Sequence, residues 1–201
     1  MGQPRLEPVP IILLAAGESS RLGQPKQLLT IRGISLLRRT AMICLESGVG
    51  PVVVILGSQI EIMRHELDGL SIDILHNVDW ASGLASSVRC GIKYFTQSNP
   101  KPEAVIFVLC DQVMLTPAVI QQVHDRYLSS GVELISCRFG EEFGPPTLVG
   151  RPFFDELLTL TGQQGAKKLI TKYSEIAEFV PFEGGGVDID VPKDLAKLND
   201  L

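Results

Sequence analysis

At 201 residues the chain can bury one sizeable core, and its length favours a single domain, taken here as 1–201. A hydrophobic content of 45% with 20% charged residues excludes a disordered chain. The formal charge of −5, with no basic run, argues against nucleic acid as a partner, because binding a phosphate backbone needs a basic face.

The opening segment has no apolar stretch before Val9, and Ile11–Ala16 is too short for a signal peptide or a membrane span. The expectation is a soluble cytoplasmic protein with no membrane partner. Val9–Leu14 reads as a strand buried on both faces. A polar, glycine-containing loop follows through Thr30. Ser35 then opens a helical stripe of Leu36, Leu37, Thr40, Ala41, Cys44 and Leu45, with Gly48 as its stop.

Pro51–Leu56 is a second buried strand, Ile60–Leu67 a short helix and Ile72–Leu75 a third strand. Leu84–Phe95 reads as a helix, Ala104–Cys110 as a strong fourth strand, and Pro117 starts a helix through Leu128. Leu134–Phe139 is a fifth strand. Phe143–Arg151 holds two prolines and two glycines and reads as an irregular excursion, with one short strand near Thr147–Val149. Helices over about Pro152–Leu160 and Ala166–Tyr173, a strand at Ala177–Pro181 and a helix from Pro192 complete the chain. This βαβα alternation predicts an α/β fold, three layers around a mostly parallel sheet.

The four cysteines (Cys44, Cys90, Cys110, Cys137) have no CxxC spacing, and the three histidines have no metal-ligand spacing. Reduced, mostly buried thiols are expected, with neither a zinc site nor a Cys/His nucleophile pair. In open α/β sheets ligands sit beyond the carboxyl ends of the strands, so chemistry is sought just after the apolar runs.

Leu14–Leu29 leaves the first strand with small residues, two serines, Arg21 and Lys26. Successive N–H groups in such a loop can cradle an anion, and the two cations suit phosphate oxygens. It is neither a P-loop nor GxGxxG, and an ordinary surface turn is the competing explanation. Asp111 stands directly after the fourth strand, where a carboxylate is costly unless solvated, paired or bound to a cation. A turn or cap role competes there. Asp188 and Asp190 are two apart, which in an extended segment places both on one face, although Asp190 also suits the N-cap of the last helix.

Taken whole, Leu14, Ala15, Ala16, Gly17, Ser19, Arg21, Gly23, Lys26, Leu28 and Leu29 resemble the LAAG-x-S-x-R-x-G-x-x-K signature of the pyrophosphorylase-like nucleotidyltransferases. More narrowly, the chain is similar to the molybdenum-cofactor cytidylyltransferase-like (MobA/MocA-type) NTP transferases. Leu-Cys-Asp-Gln, ending at Gln112, resembles that branch's LCDQP, with Val113 for proline. Gly184–Leu195 resembles its D-I-D-T-P-E-D-L, with Val191 and Lys193 as departures. Trp80–Gly91 resembles its W-x-x-G-M-x-S-S segment.

The resemblance implies a nucleotide-diphospho-sugar transferase-like (Rossmann-like) fold over roughly residues 10–198. It also implies magnesium on Asp111 and on Asp188 or Asp190, without saying which. Arg21 and Lys26 would stabilise the triphosphate and the departing pyrophosphate. Leu14, Ala15, Ala16, Gly17, Gly83 and Ser87 would line the nucleotide site, and Ala16, where guanylyl members have glycine, favours CTP over GTP. The implied acceptor is a phosphorylated small molecule, with molybdopterin first.

Gly144–Phe154 and Leu160–Ile170 resemble the branch's acceptor motifs G-H-P-x-x-x-G-R-x-x-F and L-x-G-D-x-G-A-R. Here Pro145 replaces histidine and Gln163 replaces aspartate, removing ionisable groups from that side. A sugar-phosphate or polyol-phosphate acceptor therefore stays open. So does a non-catalytic nucleotide-binding or cofactor-delivery role beside a molybdoenzyme. A molybdoenzyme or its maturation chaperone is the implied protein partner.

Overall fold

The computed structural model describes residues 8–18 and 23–187. β1 (Ile11–Leu14) is fully buried and leads through a 3-10 turn at Lys26–Leu28 to a small hairpin, β2 (Thr30–Ile31) and β3 (Ile34–Ser35). That hairpin begins in the stretch that reads as polar loop in the sequence. α1 (Leu36–Glu46) starts where the Arg38 N–H donates to Ser35 Oγ at 3.2 Å, the cap expected at that residue.

β4 (Val52–Leu56), α2 (Ile60–Glu66), β5 (Asp73–His76), α3 (Leu84–Thr96), β6 (Ala104–Leu109) and α4 (Pro117–Ser130) continue the alternation. α4 carries its proline in the first turn, where the missing N–H costs nothing. The chain then forms β7 (Leu134–Phe139), β8 (Glu142–Gly150), α5 (Phe154–Leu158), α6 (Lys167–Lys172) and β9 (Glu178–Pro181).

The main sheet has seven strands in the order β5-β4-β1-β6-β8-β7-β9. Every pairing is parallel except those of β8, which runs against both β6 and β7. Strand side chains alternate between two cores. Ile11, Leu13, Val54 and Val108 face α1, α2 and α4, while Ile12, Val53, Ile55 and Phe107 face α3, α5 and α6. Burial on both faces explains why these strands read as continuous apolar runs.

β8 corrects the expected irregular excursion: the segment is a nine-residue strand in the sheet interior. Prolines are tolerated because the ladder steps around them. Opposite β7, Ser136 pairs with Thr147 and Cys137 with Gly144, so Pro145 and Pro146 fall in a bulge. Opposite β6, pairing stops at Phe107 and Thr147. Side chains take over the polar accounting there: Ser136 Oγ donates to Gly144 O at 2.8 Å, and Gln112 Nε2 donates to Pro145 O at 2.7 Å. The helix expected over 152–160 is shorter, a 3-10 turn at Arg151–Phe153 followed by α5. The helix expected from Pro192 lies outside the described residues. No described helix is long and apolar enough to cross a membrane.

Candidate functional site

Beyond the carboxyl ends of β5, β4, β1 and β6 lies a cleft of about 510 Å³. It is where an open α/β sheet concentrates its ligands. Leu14, Ala15, Ala16 and Gly17 form its floor as β1 ends, Lys26 and Gln27 come from the following 3-10 turn, and Asp111 comes from the end of β6. Gly83, Leu84 and Ser87 enter from the start of α3, beside Trp80. Each expected site residue within the described segments thus lines this one cleft. Arg21, Asp188 and Asp190 lie outside the described residues.

Lys26 Nζ donates to Asp111 Oδ2, joining residues 85 apart in sequence. The Asp111 side chain is only 12% exposed, and its Oδ1 is buried with no hydrogen-bond partner among the described residues. A buried carboxylate oxygen left without a donor is the kind of hard ligand that suits magnesium, which needs only one or two carboxylates. No group of three His, Cys, Asp or Glu side chains among the described residues could hold a metal. Asp111 would therefore share the ion with phosphate oxygens, water or residues outside the described segments.

Two positioning residues carried no signal in the sequence. Gln27, 2% exposed, donates from Nε2 to Ala15 O at 2.9 Å and to Gly17 O at 2.6 Å, tying the start of the glycine loop to the 3-10 turn at Lys26–Leu28. Asn77 takes its place at the end of β5 through its own N–H on Leu56 O at 2.8 Å. Its Nδ2 donates to Ser86 Oγ at 2.8 Å and Ser87 Oγ at 3.0 Å, orienting the first turn of α3. Neither belongs to a periodic pattern, and only the long-range partners give them a role.

Gly83 has φ 104°, a conformation that side-chain-bearing residues avoid, and a Cβ there would run into the Gly162 carbonyl. Ala85 N donates to that carbonyl at 3.0 Å. The 161–165 loop is thereby pinned on α3, and Gln163 lines the same cleft as the nucleotide motifs. Cys110 also lines it, but burial above all, with the neighbouring Asp111 carboxylate, pushes its thiol up in pKa. That leaves it inert as a nucleophile at neutral pH.

Comparison with known proteins adds the family. A profile of the MobA-like NTP transferase domain matches residues 11–176, most of the chain. The chain belongs to the MobA-like NTP transferase family. Nucleotidyl transfer is this family's chemistry and sets the enzyme class.

Nicotine blue oxidoreductase of Paenarthrobacter nicotinovorans is 38% identical over 209 residues, covering 98% of this chain and all (100%) of that protein. The crystal structure of Rv0371c from Mycobacterium tuberculosis H37Rv is similar at 27% identity and TM-score 0.81, over 97% of this chain and 100% of that one. A complex of Rv0371c with manganese aligns with TM-score 0.80 at 24% identity, over 96% and 99% of the two chains. A nucleotidyl transferase from Methanothermobacter thermautotroptrophicus shares the fold at 18% identity and TM-score 0.79, over 96% and 97%. The nucleotide-diphospho-sugar transferase-like architecture expected for a MobA-like NTP transferase is the one found.

Proposed function

We propose that the chain transfers a nucleotide from a magnesium-bound nucleoside triphosphate, CTP by preference, onto the phosphate of a small molecule, releasing pyrophosphate. Molybdopterin is the favoured acceptor and the cytoplasm the expected compartment. The observation that carries this reading is the Lys26–Asp111 contact at the mouth of the glycine loop, with Asp111 Oδ1 left over for a cation. The manganese complex of Rv0371c supports a divalent ion in this fold.

Asp111 would hold the metal, with Asp188 or Asp190 as the second carboxylate. The ion, when bound, neutralises charge on the phosphates. Lys26 and Arg21 would take the remaining phosphate oxygens, a point charge and a bidentate fork. Gln27 keeps the loop backbone in place for the chain of phosphates. An acceptor phosphate is already anionic at neutral pH and attacks the α-phosphorus in line, so no general base is required. Rate enhancement then rests on positioning and charge stabilisation.

A screen of four triphosphates against molybdopterin and a panel of sugar and polyol phosphates, read by pyrophosphate release, tests this. Release with none of them sinks it.

A second reading comes from one observation, the relative named as an oxidoreductase at 38% identity over nearly the whole chain. In that reading the same cleft takes a redox cofactor, and the reaction is an oxidation or reduction, as the relative's name states for that protein. Consumption of reduced nicotinamide dinucleotide without pyrophosphate release would favour it over nucleotidyl transfer.

A further inference from the structure

We infer that Trp80 is the stacking surface for the base of the bound nucleotide, so that the base lies at the β5–β4 end of the cleft, opposite Asp111. The inference rests on the proposed nucleotide chemistry and adds which residue recognises the base.

Topology sets the direction. The cleft crosses the strand ends in the order β5, β4, β1, β6, about 14 Å at the usual inter-strand spacing. Lys26 and Asp111 mark the β6 side as the end for phosphate and cation. A nucleotide with its phosphates there and its sugar over the β1 loop has its base over the ends of β4 and β5. The aromatic residue lining the cleft at that end is Trp80.

Its placement is built by backbone. Trp80 N donates to Asn77 O at 3.3 Å, and Gly83 N donates to Trp80 O at 3.0 Å, closing the 3-10 turn Trp80–Ser82. Gly57, just past β4, makes room for it. A Cβ on Gly57 would lie 2.5 Å from Trp80 Cβ and 2.6 Å from Ala16 O. The glycine lets the Trp80 side chain come down against the end of the strand, beside the Ala16 floor. The indole is half-buried, packed on the core beneath while it lines the cleft above. An aromatic surface held this way offers a base stacking energy with little ordering cost.

Trp80 is the only tryptophan of the chain, which makes it its own probe. CTP and GTP titrated into the whole protein should change its emission saturably, while inorganic triphosphate competes for the site without changing it. Trp80→Ala should weaken nucleotide binding by calorimetry about tenfold or more and leave triphosphate binding unchanged. Trp80→Phe should keep nucleotide affinity within a few-fold, because the aromatic face remains.

Calorimetric binding of nucleotide with unchanged emission, or equal affinity in Trp80→Ala, overturns the inference and leaves nucleotidyl transfer standing. Equal loss of triphosphate binding in Trp80→Ala also overturns it, since Trp80 would then only support the fold. Absence of binding by every triphosphate overturns both the inference and the proposed function.

Discussion

At Asp111 the proposed metal role turns on one atom. Oδ2 is taken by Lys26, while Oδ1 is buried and has no partner among the described residues. Asp111→Asn keeps the shape and removes the charge that would bind the ion, so turnover at saturating magnesium should fall by about two orders of magnitude or more. Far-UV circular dichroism should be unchanged. Activity within about tenfold of the parent would refute the metal role.

Ala16, 5% exposed on the cleft floor, bears on base choice at the same scale. If it faces the base as proposed, its methyl would obstruct a purine more than a pyrimidine, and shape alone separates substrates by roughly 1–3 kcal/mol. CTP should exceed GTP in kcat/KM by about one to two orders of magnitude, and Ala16→Gly should narrow the gap. Both ratios measured on one acceptor check this, and a parent enzyme preferring GTP removes the cytidylyl assignment.

Among the elements, α1 was the most legible in the sequence because its start, stripe and stop are all local. Ser35 caps it and Gly48, at φ 66°, lets the chain leave it. Ser35→Ala removes an acceptor from a buried helix start and should cost about 1 kcal/mol, seen as a lower urea midpoint with an unchanged slope. β8 was the least legible. Its Gly-Pro-Pro stretch has the composition of a loop, and local propensity cannot register a bulge that places both prolines where no ladder partner is needed.

The whole molecule hides its thiols. Burial pushes Cys44 and Cys137 from the ordinary 9.0 up to about 12, and raises Cys110 and half-buried Cys90 as well. A folded-state pKa above the unfolded one gives stability that is complete below the unfolded pKa and is lost as pH rises towards the folded one. The urea midpoint should therefore lose a thiol contribution above about pH 9, at up to roughly 1.4 kcal/mol per pH unit for each group. Cys137→Ala should lower stability at neutral pH but decline less steeply in alkali. Parallel pH profiles for the two proteins would contradict this. In the native state a thiol reagent should reach Cys90 alone and slowly, and all four cysteines after unfolding.

By itself, the sequence determined the α/β alternation, the cap and stop of α1 and the motif residues. These follow from short-range rules: periodicity, capping chemistry and the need to bury apolar runs on two faces. It also placed Lys26 and Asp111 as candidates, Lys26 as a cation of the loop that follows the first strand and Asp111 directly after the fourth apolar run. Only the tertiary structure decided that these two touch across 85 residues, that Gln27 and Asn77 stitch the loop and helix around them, and that Gln163 shares their cleft. Those contacts depend on strand order. The sheet brings β6 beside β1 and slots β8 between β6 and β7, pairings between distant segments that leave no local trace in the chain.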